Sequence, residues 1–303
     1  MSDRVPPGLA GLDWAPASNF LGLDAADAAW ENSAAIILPI PYEATTSWGT
    51  GTRYGPAALL EASRYVELYD EELNAEPYHH GICTLPAIDL THESPRAAVA
   101  QLRELYGGLI DVADGRFVIG VGGEHSISSA PATTWIDRLG DDVSILQVDA
   151  HSDLRPEYHG TPWSHASVMH RILDRTSNIV AVGIRSLTVE ESVLIREREI
   201  VTVFAEELRM PGWVERAVEP LRPNVYITFD VDFFDPSVIP GTGTPEPGGG
   251  DWWQALELLR AVFRERNVVG ADVVELAPRE DDRASPMTTA KLVYKLIGYH
   301  TAH

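Results

Sequence analysis

The stretch Ser144-Ile145-Leu146-Gln147-Val148-Asp149-Ala150-His151-Ser152-Asp153 decides the fold. Its apolar, β-branched first half reads as a buried strand, and the charged residues after it as the exit from that strand. Alternate residues of an extended chain project to one side. Asp149, His151 and Asp153 can therefore aim at one place just past the strand end. Ligands of open parallel α/β sheets bind at that end of the strands. Oxygen and imidazole donors meeting there suit a divalent metal ion. Taken alone, the same residues read equally well as an acidic loop that caps a helix.

Two further clusters repeat the pattern. The apolar run 224–229 ends in Asp230-Val231-Asp232, again two carboxylates alternating at a strand exit. The run 116–121 ends in Gly122-Gly123-Glu124-His125. The two glycines permit a tight turn without a Cβ clash, so His125 can fold back over the sheet edge. The pooled set is His125, Asp149, His151, Asp153, Asp230 and Asp232, four carboxylates and two imidazoles. One ion cannot use so many charged ligands well, whereas two ions can share them through bridging carboxylates.

Outward from these runs, strands alternate with helices. Strands are expected at 34–40, within 81–90, and at 117–121, 143–148, 178–184, 200–203, 225–229 and 268–275. Helices are expected at 25–31, 56–69, 94–111, 128–139, 165–173, 189–198, 214–221, 251–264 and 284–297. Ser94 suits an N-cap, with Pro95 in the first helical position. Ala57, Leu60, Ala62, Tyr65 and Leu68 give the 56–69 helix an apolar stripe. The alternation predicts a three-layer α/β/α fold, with a mainly parallel sheet of about eight strands covered on both faces. No repeat or compositional break divides the chain, so one domain is expected over 1–303. Residues 1–33, rich in Pro, Gly, Ala and Asp, read as a surface arm.

Composition narrows the function classes. The 303 residues suit one large α/β domain, and an apolar fraction of 45% suits an ordinary globular core. A net charge of −22 argues against nucleic acid as a partner, since that needs a basic stripe. The charge is compatible with a cationic substrate, but it marks first of all a well-solvated surface. Lysine occurs only at 291 and 295, so arginine supplies nearly all the positive charge. Cys83 is the only cysteine, which rules out an intrachain disulfide and fits a reducing compartment. Met1-Ser2-Asp3-Arg4-Val5-Pro6-Pro7 carries no apolar signal core, and no apolar run approaches the length of a membrane span. A cytoplasmic protein without a membrane partner is expected.

Gly122-Gly123-Glu124-His125-Ser126, Asp149-Ala150-His151-Ser152-Asp153 and Asp230-Val231-Asp232-Phe233-Phe234-Asp235-Pro236 resemble the three metal signatures of the ureohydrolase family, the arginase and agmatinase group. Gly241-Thr242-Gly243-Thr244-Pro245-Glu246-Pro247-Gly248-Gly249 follows as it does in that family, and Glu275 stands where the family keeps its guanidinium-binding acid. The resemblance spans about 36–296 and implies an arginase-like fold. It implies that Asp149 and Asp230 bridge two ions, with His125 and Asp153 completing one site and His151 and Asp232 the other. Asp153 would also orient a bridging hydroxide that attacks the guanidinium carbon. The chemistry calls for such a nucleophile, because resonance makes that carbon a poor electrophile and a divalent ion lowers the pKa of water toward neutrality. Mainly carboxylate ligands favour Mn²⁺ over Zn²⁺.

Glu275 can hold a guanidinium fork to fork, and by resemblance Thr244 helps to close the pocket. The leaving amine needs a proton, for which His165 is the first candidate and His159 the second. The segment 154–166 lacks the Asn that arginases use on the substrate α-carboxylate and is similar to agmatinase-type members. Glu157 suits a terminal ammonium, while Arg155 suits a guanidino acid. The expected reaction is agmatine to putrescine with release of urea; aminopropylagmatine and 4-guanidinobutyrate are the alternatives. The resemblance also implies a homotrimer or homohexamer. Two other classes compete: a one-zinc amide hydrolase of related fold, and a non-catalytic assembly protein. Metal content separates them, with two ions per chain, one, or none.

Overall fold

A computed structural model describes residues 18–302. Its centre is a single sheet of eight strands: β1 (Ala35–Ile40), β2 (Ile82–Thr84), β3 (Phe117–Gly122), β4 (Val143–Val148), β5 (Ile179–Ile184), β6 (Val201–Phe204), β7 (Asn224–Asp230) and β8 (Asn267–Val274). All pairings are parallel, in the order β2-β1-β3-β8-β7-β4-β5-β6. Near-continuous apolar runs such as Val143–Val148 and Ile179–Ile184 are what a sheet buried on both faces requires. Eight helices cover it among the described residues: α1 (Gly55–Ser63), α2 (Pro95–Ala113), α3 (Ser129–Leu139), α4 (Val168–Leu173), α5 (Val189–Glu197), α6 (Trp213–Val218), α7 (Trp252–Glu265) and α8 (Ala284–Thr301). The strand alternation decides which side chain meets which layer. Ala35 and Ile37 join the core under α1, α6, α7 and α8, whereas Ile36 and Leu38 join the core under α2. The face formed by Val143 and Ile145 packs against α4 and α5.

The central strands β3, β8, β7 and β4 are neighbours, and they end on the same side. The three charged clusters and Glu275 leave the sheet from these four ends, so one place collects all of them.

Three expectations give way to the structure. The segment 25–31 is no helix: turns lead to a short 3₁₀ turn at Trp30–Asn32. The Asp27 carbonyl accepts from Ile82 N of β2 instead of an amide of its own segment, and the Trp30 carbonyl serves both Ser33 N and the Arg116 side chain. The supposed surface arm is partly core. Phe20 and Leu21 are buried, with Phe20 N donating to Thr84 Oγ1 and Leu21 N to Ser63 Oγ. Residues 1–17 of that arm lie outside the described residues. Finally, α1 stops at Ser63 rather than near 69. The Ser63 hydroxyl bonds back to the Leu60 carbonyl and also receives the Leu21 amide, and the chain then turns away.

Candidate active site

His125 is delivered by the turn after β3. Neither Gly122 nor Gly123 has a positive φ, so a glycine-only conformation is not the reason for them. Close approach is: a Cβ on Gly123 would lie 1.9 Å from the Tyr42 carbonyl oxygen, and one on Gly122 would lie 2.6 Å from Val274. The strand exit is thereby clamped between the ends of β1 and β8. Glu275 N donates to the Gly123 carbonyl, and Glu275 Oε1 accepts from His125 N at 2.6 Å.

The structure brings all six sequence-predicted ligands together. His125 Nδ1 lies 3.2 Å from Asp149 Oδ2, 3.0 Å from Asp153 Oδ2 and 3.5 Å from Asp230 Oδ2. His151 Nδ1 lies 2.9 Å from Asp232 Oδ2. Two groups are spaced to hold a metal ion, His125 with Asp149 and Asp153, and Asp149 with His151 and Asp232. Asp149 belongs to both. The two groups are held by the backbone: His151 N donates to Asp149 Oδ1, Ala150 N to Asp232 Oδ1, and Asp232 N to Asp230 Oδ1.

The hydrogen bonds test whether a cation belongs here. His125 Nε2 meets Thr228 Oγ1 at 2.9 Å, and that hydroxyl gives its own proton to buried Asp272. Nε2 must therefore be the protonated nitrogen. Nδ1 is left fully buried without a hydrogen-bond partner, its lone pair facing three carboxylates. Lone pairs do not face each other in a low dielectric unless something positive stands between them. Without an ion, the carboxylates force a proton onto the ring. Burial opposes that, yet Asp149 and Asp153 hold the His125 pKa well above its ordinary value. Asp232 has a partner in His151 and is held down to about 2 against its burial, but the other shifted acids show the same shortage of positive charge. Burial, then Asp232, pushes Asp149 up to about 7, and burial with Asp232 and Asp149 pushes Asp230 well up. Glu275 is pushed up to about 8, chiefly by burial. His151 rises to about 10 against its burial because Asp232 is beside it. The residues fit a pair of divalent ions.

A model of the arginase family matches residues 33–298. The chain belongs to the arginase family. The N(1)-aminopropylagmatine ureohydrolase of a Synechocystis strain is 40% identical, over 89% of this chain and 90% of its own. The agmatinase of Pyrococcus horikoshii is 30% identical, over 87% and 90%. The crystal structure of the agmatine ureohydrolase of Thermoplasma volcanium superposes with a TM-score of 0.85 at 27% identity, covering 98% of each chain. The arginase-family chain is accordingly a hydrolase of amidino compounds.

A cavity of about 230 Å³ opens over the cluster, lined also by Glu275, Thr244 and His165. Burial holds the His165 imidazole below its ordinary pKa. His159 does not line this cavity; it is exposed and stacks on Tyr158, with ring centroids 4.0 Å apart. Glu157 does not line it either, but a neighbouring groove of about 380 Å³ that shares Arg155 and Glu191 with it. Asp153 and Glu275 both hold left-handed backbone, φ 51 and 66, which costs an ordinary residue energy and gathers at working sites. Arg185 escaped notice in the sequence. Its guanidinium spends its donors on main-chain carbonyls, including those of Asp232 and Glu246, and so fixes the Asp232 loop against the 241–250 loop. Nothing in a lone Arg after a strand announces that.

Proposed function

We propose that this arginase-family ureohydrolase releases urea from a guanidino compound whose other end is an amine, with two Mn²⁺ ions held by His125, Asp149, His151, Asp153, Asp230 and Asp232. The observation that carries the reading is the buried, partnerless Nδ1 of His125 among three carboxylates, on the floor of a cavity whose wall is Glu275. When bound, the ions supply a water acidified toward neutral pH. The chain's own residues do the rest. Glu275 has one oxygen engaged by His125 N and turns the other to the substrate, where it pairs with the guanidinium and sets its carbon over the metal end. Asp153 accepts a hydrogen bond from the water and orients it. The C–N bond to the alkyl nitrogen breaks, urea keeps the water's oxygen, and His165 hands a proton to the leaving amine. Thr244 closes the pocket behind the guanidinium.

The amine end is supported by other residues that line the cavity. Glu191 adds a buried negative charge there, its oxygens held by Leu154 N and Thr188 N, and the Arg155 guanidinium is drawn over the Tyr158 ring, 4.9 Å from its centroid, rather than offered to a substrate carboxylate. Agmatine fits that polarity. The aminopropyl derivative is the second reading. It is favoured by the adjoining groove, where Glu157, Glu190 and Glu197 await a longer cationic arm, and by the 40% identical relative. Urea release from agmatine, aminopropylagmatine, 4-guanidinobutyrate and L-arginine, with Mn²⁺ supplied, tests both. The first two should exceed L-arginine in kcat/KM by about a hundredfold or more, because a site built for one polar terminus rejects its analogue. A preference for arginine or the guanidino acid would overturn the substrate assignment and leave the metal chemistry standing. His165→Ala should lower kcat by about a hundredfold with both metals retained; full activity there together with loss in His159→Ala would exchange the two histidines. The reading includes a cytoplasmic homotrimer or homohexamer, which a monomeric mass in sedimentation would refute. No described helix is long and apolar enough to cross a membrane.

A further inference from the structure

Glu124 sits between β3 and His125, and the hydrolytic reading gives it no task. Its carboxylate is fully buried, and it forms no ion pair among the described residues. It is held instead by four neutral donors. Oε2 accepts from Ala44 N at 2.7 Å and Thr45 N at 2.6 Å, and Oε1 accepts from Thr45 Oγ1 at 2.7 Å and Ser126 Oγ at 2.6 Å. A buried carboxylate so satisfied is a rigid anchor. What it anchors is the cavity rim at 44–47. The same stretch continues to a second anchor, Glu43, which accepts from Gly51 N, Arg53 N and the Thr52 hydroxyl.

Thr45 joins the Glu124 anchor to His165. The hydroxyl has one proton, and it goes to Glu124. Its oxygen then accepts from His165 N at 3.0 Å and faces His165 Nδ1 at 3.3 Å. With no proton left on that oxygen, Nδ1 must supply one. The opposite arrangement would trade a 2.7 Å bond to a buried carboxylate for a 3.3 Å bond to a neutral ring. Charge-assisted bonds are the stronger kind, so that trade is unfavourable. Nε2 then carries the lone pair, on the side where Ser47 Oγ stands at 3.5 Å and the cavity opens. Tyr158 meets the ring edge-on, with centroids 5.7 Å apart, and limits its rotation. We propose that Thr45 and Glu124 are positioning residues that fix His165 as the Nδ1–H tautomer and aim its Nε2 lone pair at the substrate. The inference rests on the reading of His165 as the proton-transfer group and adds how the chain prepares it. With this tautomer Nε2 takes a proton from the cavity side and returns it to the leaving nitrogen, while Nδ1–H never leaves Thr45.

Thr45→Val removes the hydroxyl with little change of shape, and Thr45→Ser restores it. In the Mn²⁺-loaded enzyme, Thr45→Val should lower kcat about tenfold or more with KM changed less than about threefold, and Thr45→Ser should return kcat to near the wild type. Metal content and the unfolding midpoint, measured alongside, exclude a general defect. The tautomer itself is read from ring ¹⁵N shifts of labelled histidine in the diamagnetic Zn²⁺-loaded protein. The wild type should show His165 protonated on Nδ1, and Thr45→Val should show a mixture. Wild-type kcat in Thr45→Val, or protonation on Nε2 in the wild type, would overturn the inference. If His165→Ala turns over like the wild type, the proton-transfer reading itself has failed. If His165→Ala is slow while Thr45→Val is not, only the positioning role has failed.

Discussion

Among the described residues, two clusters of buried charge are built on opposite rules. On the α8 side, Lys295 is almost wholly buried, with Nζ 2.7 Å from Asp70 and 2.9 Å from Glu72. Tyr299 donates to Glu72, and Arg260 reaches that residue's other oxygen at 3.1 Å. Two carboxylates face two cations, and the cluster closes on itself. It ties the segment after α1 to α8 and touches no cavity described above. At the strand ends, Asp149, Asp153, Asp230, Asp232 and Glu275 face only His125 and His151. The acids respond in opposite directions. Asp70 is pulled below its ordinary value, its lysine and amide partners outweighing burial, whereas Asp149, Asp230 and Glu275 are pushed above theirs; Asp232, which His151 neutralises, is the lowered one among the strand-end acids. Burial is common to both places, so burial alone does not mark a site. The mark is a charge deficit that the chain leaves for something outside it to fill.

The largest expected effect breaks the open cluster at its shared member. Asp149→Asn should reduce turnover to background and lower the metal content, because both ligand groups use that carboxylate. The metal-free chain should be no less stable than the wild type, since one of several repelling acids is gone. Wild-type-like rates would sink the dinuclear reading. One tight Zn²⁺ per chain in metal analysis would also sink it.

The next breaks the closed cluster. Lys295→Met leaves Asp70 buried without its cation and should cost about 3–5 kcal/mol of stability by denaturant unfolding. Asp70→Asn on that background should recover part of the loss. At a temperature where the variant stays folded, kcat should be unchanged. A Lys295→Met chain of full stability, or one that is stable but inactive, would refute the division between glue and site.

The open cluster was legible in the sequence and the closed one was not, for a physical reason. Asp149, His151 and Asp153 stand at every second position after one apolar run, so the pattern flags them in the sequence, although the chain has left β4 by then and Asp153 is left-handed. Asp230 and Asp232 repeat the device, and the alternation of strands and helices then fixes the parallel sheet that gathers them. Asp70 and Lys295 are 225 residues apart, and neither stands in a periodic pattern. Only the packing of α8 joins them. The same limit hid the Thr45–Glu124 pair, whose members are 79 residues apart, and the sequence could not show that Glu157 lines the neighbouring groove rather than the cavity over the cluster. The helix expected at 25–31 failed differently. Its residues allow a helix, but the neighbouring strand claims the Asp27 carbonyl through Ile82 N.

The smallest effect separates the two clusters by the sign of their pH dependence. In chelator, Asp149 titrates at about 7 and Glu275 at about 8, so the folded chain holds protons that the unfolded chain has released by about pH 4–5. Their contribution to stability is full below that range and is lost as pH rises through about 7 to 8. His151, raised to about 10, adds a loss of the same sign above its ordinary value. The closed cluster contributes nothing across this window. Asp70 is lowered, so its contribution is present above the ordinary carboxylate value and is lost only as pH falls through its lowered one. Lys295 is raised, so its contribution persists until pH passes the ordinary lysine value and climbs through the raised one. Between about pH 5 and 9 the metal-free unfolding midpoint should therefore fall, with the slope carried by the strand-end site against a smaller opposite contribution from His300, which burial holds below its ordinary value. Asp149→Asn should flatten it and Lys295→Met should not. Saturating Mn²⁺ should reverse it, because the ligands must be deprotonated to bind and the ions then favour the folded state more strongly at higher pH. A metal-free profile that is flat or rising across this window would show that the strand-end acids lack the charge deficit on which the metal assignment stands.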